Sequence, residues 1–260
     1  QQLGFRDEAL VVTEPFRQWV VENNFAGPVP AWDEVGAEFV KDVEPFELMK
    51  LRLLNASHST LAYLGCLAGY ESVADVMGDT AFVSLVEQLM EEMACTLPDL
   101  DGFDVDGYRR QLLQRFANRG LEHQTRQIAM DGSQKIPQRL LPAIAERLSR
   151  GEAPDASILG LAAWIRYTMG VDEEGLRWEV SDPLAETFSS LMQSTAAEPD
   201  AYLEAVLGIE SVFPPALAKN AVMRQQLKDN LDSLIATGAC STVGRHAGVV
   251  NRHSIIEESA

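Results

Sequence analysis

The sequence is poor in positive charge and in long apolar runs, and each shortage excludes a class of ligand or location. Lys and Arg number 21 against 39 Asp and Glu, so the 260-residue chain carries a formal net charge of −18. This balance disfavours binding to nucleic-acid phosphates and to anionic membrane surfaces, which both need clustered basic side chains. No apolar run approaches the roughly 20 residues that span a bilayer. We therefore expect neither a nucleic acid nor a membrane as a partner.

Cysteine is also scarce. Cys66, Cys95 and Cys240 form no CxxC pair, so the sequence predicts neither a disulfide framework nor a zinc site. The histidines lack a metal-ligand spacing such as HExxH, and we expect no metal. Unpaired cysteines are typical of a reducing compartment, which predicts a cytoplasmic location.

The sequence has no G-x-G-x-x-G turn and no alternation of strands and helices, so it predicts no dinucleotide-binding sheet in this chain. Apolar residues recur instead at helical spacing, which predicts a mainly α fold. The predicted helices cover residues 14–22, 45–69, 80–94, 106–119, 121–130, 134–150, 156–169, 183–194, 200–212 and 221–237, with a small hairpin over residues 171–180.

Acidic side chains are grouped in two places. Residues 99–107 resemble a calcium loop, but the fifth position is Phe103 and the twelfth is Arg110, where an EF-hand needs oxygen ligands and a glutamate. In the helix over residues 80–94, we interpret Glu87, Glu91 and Glu92 as a solvated acidic face. Neither group predicts a binding site.

One predicted helix carries a polar arc on an otherwise apolar surface. In the stretch ELMKLRLLNASH, Glu47, Lys50, Asn55 and His58 fall within about 140° of one another at about 100° per residue. Burying an unpaired polar group costs roughly 1–3 kcal/mol. The four side chains therefore either satisfy one another, with Lys50 reaching towards solvent, or they line a polar cavity.

The cavity alternative predicts a specific chemistry. Desolvation would lower the pKa of Lys50 and make it a general base for an alcohol O–H. Asn55 could donate to an oxygen that becomes an alkoxide or a carbonyl, and His58 could bind a second hydroxyl. Glu47, one turn before Lys50, could carry protons to solvent. The rise of roughly 12 Å from Lys50 to His58 would accommodate a polyhydroxylated chain.

The spacing Lys50-x4-Asn55-x2-His58, in the setting MKLRLLNASHS, resembles the mannitol dehydrogenase family. These are the polyol-specific long-chain dehydrogenases, and they include fructuronate and tagaturonate reductases. Similar blocks are TEPF, IAMDGSQK, GVD and SDP, at residues 13–16, 128–135, 170–172 and 181–183. The resemblance covers nearly the whole chain.

The resemblance implies a division of the molecule into two domains. Family members join an N-terminal Rossmann-type domain, which binds NAD or NADP, to a multi-helical C-terminal domain similar to that of 6-phosphogluconate dehydrogenase. It implies that residues 1–41 are the tail of the cofactor domain with a linker, and residues 42–260 the helical substrate and catalytic domain. On this interpretation the Rossmann domain is largely absent from this chain, which is inactive alone.

The resemblance also implies residue roles. Lysine is the family's general acid and base, and asparagine and histidine polarise and hold the reacting oxygen; here these are Lys50, Asn55 and His58. Glu47 matches a family glutamate linked to proton passage. The active site lies between the two domains, so the missing cofactor domain is an expected partner.

The stretch QIAMDGSQKIPQR, residues 127–139, bears on the substrate. Some mannitol dehydrogenases carry an Arg immediately before Ile-Ala-x-Asp-Gly and a Lys a few residues later, both touching substrate hydroxyls. This chain has Gln127 in the place of that Arg and keeps Lys135. The residues of this stretch are more similar to those of fructuronate reductases. The substrate of those enzymes has a carboxylate, which Lys135, Arg126 or Arg139 could bind. Arg126 and Arg139 are alternatively ordinary charges of a helix surface.

We therefore expect an oxidoreductase that interconverts D-fructuronate and D-mannonate by hydride transfer with NAD or NADP. The pair D-fructose and D-mannitol is the alternative substrate. A non-catalytic helical module is the alternative function if the chain stands alone.

Overall fold

The computed structural model describes residues 8–9, 14–100, 102–121 and 123–257, without the side chains of residues 249–257. The chain forms two compact units, Gln1–Glu44 and Pro45–Ala260. Thr13, the first residue of the TEPF block, lies outside the described residues.

The first unit contains a pair of parallel strands, β1 (Trp19–Glu22) and β2 (Ala37–Val40), with Trp19 opposite Ala37. The helix predicted over residues 14–22 is therefore wrong. The sequence WVVE is rich in aromatic and β-branched residues, which favour a strand once a neighbouring strand can pair with it. The ring of Trp19 packs on that of Trp32 with centroids 5.1 Å apart.

Helices make up the regular structure of the second unit within the described residues. They are α1 (Glu44–Met49), a π-helical segment (Lys50–Asn55), α2 (Ala56–Leu67), α3 (Val73–Val76), α4 (Thr80–Ala94), α5 (Val105–Phe116), α6 (Thr125–Ala129), α7 (Gly132–Arg139), α8 (Leu141–Ser149), α9 (Asp155–Thr168), α10 (Ala185–Ser194), α11 (Pro199–Leu207), α12 (Pro215–Ala218) and α13 (Ala221–Glu257). The predicted mainly α fold is confirmed, and none of these helices is long and apolar enough to cross a membrane.

The helix predicted over residues 45–69 is present, but its middle is not α-helical. The π segment joins α1 to α2 without a break, and the N–H of Ala56 donates to the carbonyl of Leu51, five residues back. A π turn takes up about one more residue than an α turn. Asn55, five residues after Lys50, therefore lies about one turn further along the helix, so the angles expected for an ideal α-helix do not apply here.

The core is built around α2 and α9. Every residue of α9 from Ala156 to Thr168 is buried, and α2 is buried along almost its whole length. α4 and α13 pack against α9, and α6 packs against α2. The large fully buried side chains include Trp164, Tyr63 and Phe82.

Several predicted helices differ in extent. The helix predicted over residues 134–150 is divided into α7 and α8 at Leu140, because Pro142 lacks the N–H that would continue one helix. Of the helix predicted over residues 121–130, the structure keeps only α6. The predicted hairpin is represented by an antiparallel bridge between Val171 and Arg177.

α13 starts at the predicted residue but contains a sharp turn at Gly238. This residue has φ 79° and ψ 170°, a conformation that is essentially restricted to glycine. The chain folds back, so that the hydroxyls of Ser233 and Thr242 lie 2.8 Å apart. A carboxylate oxygen of Glu173 accepts the N–H of Ala239 at 2.5 Å and caps the second half.

Glu92 is buried, so its interpretation as part of a solvated face is wrong. It is only 6% exposed, and its carboxylate accepts the N–H of Ala156 at 2.8 Å and the N–H and hydroxyl of Ser157 at 2.9 and 2.6 Å. These groups belong to the start of α9. Burial raises the pKa of Glu92, and the hydrogen bonds partly oppose that effect.

Candidate functional site

Lys50 opens the π segment, and its side chain is exposed, as is that of Glu47 one turn earlier. The buried side of this stretch is formed by Met49, Arg52 and Leu53. Within this chain the side chain of Lys50 thus reaches towards solvent, as in the first of the two alternatives drawn from the sequence. Any desolvation of its amine has to come from a group that covers this face.

Arg52 holds the π segment on its buried side. Its guanidinium is buried, donates to the carbonyl of Thr96, and pairs with a carboxylate oxygen of Glu146 at 3.2 Å. Because Arg52 lies between Lys50 and Asn55, these bonds fix the turn that carries both candidate residues.

Asn55 ends the π segment next to Arg139 of α7. Nη1 of Arg139 donates to the main-chain carbonyl of Asn55 at 3.4 Å and to the hydroxyl of Ser59 at 2.9 Å. Burial lowers the pKa of Arg139. The structure thus brings a partly buried cation from the second sequence block beside the first.

His58, one turn after Asn55, points into the protein. Its ring lies 4.6 Å from that of Phe116 and 5.4 Å from that of His123, measured between centroids. Burial, and then the positive charges of His123, Arg139 and Arg115, lower the pKa of His58 to about 3. Its Nε2 is buried without a hydrogen-bond partner. At neutral pH the imidazole is therefore uncharged. In this form it can donate one hydrogen bond and accept another, but it cannot act as an acid.

Lys135, also on α7, lies near the guanidinium of Arg139. Its Nζ donates to the carbonyls of Ile128 and Met130 at 3.2 and 2.5 Å. Burial lowers the pKa of Lys135, and the charge of Arg139 adds to the effect. Arg139 is therefore a common neighbour of Asn55, His58 and Lys135, and the structure brings these four predicted residues together.

Arg126 lies elsewhere. Its guanidinium carbon is 5.8 Å from the centre of the Trp178 ring. The start of α6 packs beside Gly65, where an added Cβ would come within 3.0 Å of Thr125. Gly65 is about 20 Å from Lys50 along the helix axis. The structure does not bring Arg126 close to Lys50.

Gln127 is also exposed on α6. Together with Arg126, Met130 and Trp178 it lines a cavity of about 310 Å³. The indole N–H of Trp178 is buried there without a partner. Met130 also connects this cavity to Lys135, because its carbonyl accepts a hydrogen bond from Nζ of Lys135.

The described residues offer neither a metal centre nor a pyrophosphate cradle. No three His, Cys, Asp or Glu side chains among them come together as they would around a cation. The sequence has no G-x-G-x-x-G turn, which is the usual cradle for a dinucleotide.

Two residues near the site were missed at the level of sequence. His123 was set aside because it has no metal-ligand spacing, yet its ring meets His58. Asp182 was noted only as part of the SDP block, yet its carboxylate accepts the N–H of Ser133 at the start of α7 at 2.8 Å. A short acidic residue before a proline is a common helix-capping signal, which could have drawn attention to Asp182.

Comparison with known proteins gives one consistent family. The mannitol dehydrogenase C-terminal domain matches residues 42–235. The D-mannonate oxidoreductase of Escherichia coli (strain K12) is 47% identical over 222 residues, which cover 85% of this chain and 45% of that protein. The mannitol 2-dehydrogenase of Phaeosphaeria nodorum is 38% identical over 251 residues, which cover 95% of this chain and 43% of that protein.

A solved structure agrees in fold. The mannitol 2-dehydrogenase of Pseudomonas fluorescens, in a ternary complex with NAD and D-mannitol, aligns with a TM-score of 0.81 at 33% identity. The alignment covers 89% of this chain and 46% of that one. The chain thus spans about half the length of the curated relatives it matches.

Proposed function

Because the chain belongs to the mannitol dehydrogenase family and contains its C-terminal domain, we propose that it forms the substrate half of an NAD(P)-dependent alcohol dehydrogenase. The observation that supports this most is that Arg139 lies beside Asn55, His58 and Lys135, next to the π segment that begins with the exposed Lys50. Residues 1–41 then belong to the tail of the cofactor domain, and residues 42–260 to the catalytic domain. The remaining cofactor domain is the partner that would cover the exposed Lys50.

A bound nicotinamide would supply the hydride for reduction of a keto carbon. Lys50 gives the proton that the carbonyl oxygen needs as it becomes an alcohol, and takes it back in the oxidation. Asn55 donates a hydrogen bond from its side-chain amide to that oxygen, and the neutral His58 holds a neighbouring hydroxyl. Glu47, exposed one turn before Lys50, exchanges protons with solvent.

We propose D-fructuronate and D-mannonate as the favoured substrate pair. The most similar named relative described above is a D-mannonate oxidoreductase. The second block keeps Lys135 but has Gln127 where some mannitol dehydrogenases have Arg. The partly buried cations Lys135 and Arg139 would bind the carboxylate of a hexuronate. The guanidinium of Arg126 lies instead over the ring of Trp178.

D-fructose and D-mannitol are the alternative pair, since the aligned ternary complex holds D-mannitol and NAD. That complex also favours NAD over NADP as the cofactor. The three cysteines are free, which agrees with the proposed cytoplasmic location.

The proposal is tested with the full-length gene product and this chain in parallel. Each is offered D-fructuronate, D-tagaturonate and D-fructose with NADH and with NADPH, and the loss of reduced-nicotinamide absorbance is followed. We expect the gene product to oxidise NADH with D-fructuronate at the highest kcat/KM, and this chain alone to be inactive. Preference for D-fructose would select the alternative pair. A gene product that is inert with all three ketoses would favour the non-catalytic module.

A further inference from the structure

The SDP block, residues 181–183, has no role in the proposed chemistry, yet it contacts the helix that carries Lys135. The N–H of Ser133 donates to Oδ2 of Asp182 at 2.8 Å, and the N–H of Leu184 donates to Oδ1 at 2.8 Å. Asp182 thus caps the start of α7 from a different segment of the chain. Its two oxygens join that helix to the segment that leads into α10.

The corner before α7 is fixed by further contacts. The N–H of Asp131 donates to the carbonyl of Ser181 at 3.0 Å, and Asp131 itself has φ 56° and ψ 35°. A Cβ added to Gly132 would lie 2.3 Å from Nε1 of Trp164 and 2.7 Å from the hydroxyl oxygen of Tyr63. The start of α7 is therefore pressed against α2 and α9 and has little room to shift.

The fixed start of α7 also sets the direction in which the side chain of Lys135 extends. Two of the three N–H groups of its ammonium bind the carbonyls of Ile128 and Met130, which leaves one donor for a ligand. The other end of α7 is tied to the polar face by Arg139, through the carbonyl of Asn55 and the hydroxyl of Ser59. The eight residues of α7 are thus held at both ends.

We propose that Asp182 is a positioning residue for substrate binding. Its carboxylate holds the start of α7, so that Lys135 keeps its remaining donor directed to the substrate beside Asn55 and His58. This inference rests on the proposed function for its substrate, but not for the placement of α7.

A purely electrostatic role for Asp182 makes a different prediction. The negative charges of Asp131 and Asp182 both favour protonated Lys135, and the contribution of Asp131 is the larger. Asp131 makes no side-chain hydrogen bond to the start of α7. Replacing Asp131 therefore removes an equivalent charge but no bond to the helix. Asp131→Asn is a matched control, because asparagine tolerates a positive φ well.

The test uses the full-length gene product as wild type, Asp182→Ala, Asp182→Asn and Asp131→Asn. The first readout needs no substrate: hydrogen exchange of the α7 amides and acetylation of Lys135, both followed by mass spectrometry. The second readout is kcat and KM for D-fructuronate with NADH. Asp182→Asn keeps one oxygen acceptor and serves as the conservative variant if Asp182→Ala does not fold.

We expect Asp182→Ala to speed amide exchange in α7 and acetylation of Lys135, and to raise KM about tenfold with a smaller change in kcat. Asp182→Asn should recover part of each loss. Asp131→Asn should stay close to wild type in amide exchange and in KM, and any faster acetylation in this variant measures the effect of charge alone. Equal KM increases for Asp131→Asn and Asp182→Asn, without faster exchange, would overturn the proposal in favour of charge. Unchanged amide exchange of α7 in Asp182→Ala would also overturn it, whatever the rate of acetylation. A wild-type enzyme without turnover contradicts the proposed function, while the exchange data still decide whether Asp182 holds α7.

Discussion

At the scale of single residues, the candidate site combines an exposed amine with a buried imidazole. Lys50 faces solvent, whereas His58 lies against Phe116 and His123. Of the two, only the histidine is desolvated by this chain itself. An uncharged His58 suits the orientation of a hydroxyl group and leaves proton transfer to Lys50.

The low pKa of His58 predicts a pH-dependent stability. Its pKa is about 3 in the folded chain against about 6.5 in the unfolded chain. Between these values the unfolded state binds more protons, so this contribution is fully present above about pH 6.5 and is lost as the pH falls. The slope is about 1.4 kcal/mol per pH unit. Urea unfolding between about pH 4 and pH 7 should show a steeper rise for the wild type than for His58→Gln. Equal slopes in the two proteins would contradict a neutral, buried His58.

Residue types could be predicted from the sequence better than their surroundings. The spacing predicted that Asn55 and His58 share one stretch of helix, and Arg139 lies beside both in the structure. The contact of Arg139 with Asn55 joins positions 84 residues apart, and no local pattern indicates which face of α7 meets the π segment. Tertiary packing decides that, and it also decides the burial of Glu92.

At the scale of elements, the π segment is the feature that the sequence does not indicate. Its residues, KLRLLN, are mostly good helix formers and would suit an α-helix equally well. The long-range bonds of Arg52 to Thr96 and Glu146, and of Arg139 to Asn55, act on this segment from outside. π turns occur frequently at functional sites, which agrees with the position of Lys50 and Asn55 at its two ends.

The predicted helices were confirmed where an apolar stripe spans several turns, as in α4, α5 and α9. They were less accurate where contacts from other segments set the boundaries. Gly238 ends the predicted part of α13, and Glu173 starts the next part from 66 residues away. β1 was mistaken for a helix because its partner β2 follows only after a loop that contains Pro28 and Pro30.

The capping of α9 by Glu92 predicts an unequal pair of substitutions in α4. Glu92→Ala leaves the N–H groups of Ala156 and Ser157 buried without an acceptor, so we expect a loss of about 2–3 kcal/mol in the free energy of unfolding. Glu91→Ala, the matched control, removes an ion pair between the exposed Glu91 and the half-buried Arg109 and should cost no more than about 1 kcal/mol. Chemical denaturation of the two variants decides the matter, and similar losses would argue against a cap.

At the scale of the whole molecule, two features bear on function. The chain matches its relatives over about half of their length, and its helical unit presents a polar face without a nucleotide cradle. The net charge of −18 favours a small ligand held by a few placed cations, Lys135 and Arg139 among them, over a polyanionic partner.

The central claim is that Lys50 transfers the proton, and its replacement tests this most directly. In the full-length gene product, Lys50→Ala should lower kcat for the preferred ketose by about 10²–10⁴-fold. The affinity for NADH, measured by fluorescence titration, should stay within about twofold, because Lys50 lies on the substrate side. Lys219→Ala removes another exposed lysine that has no part in the proposed chemistry, and it should behave as wild type. Turnover of Lys50→Ala equal to that of Lys219→Ala would contradict the account.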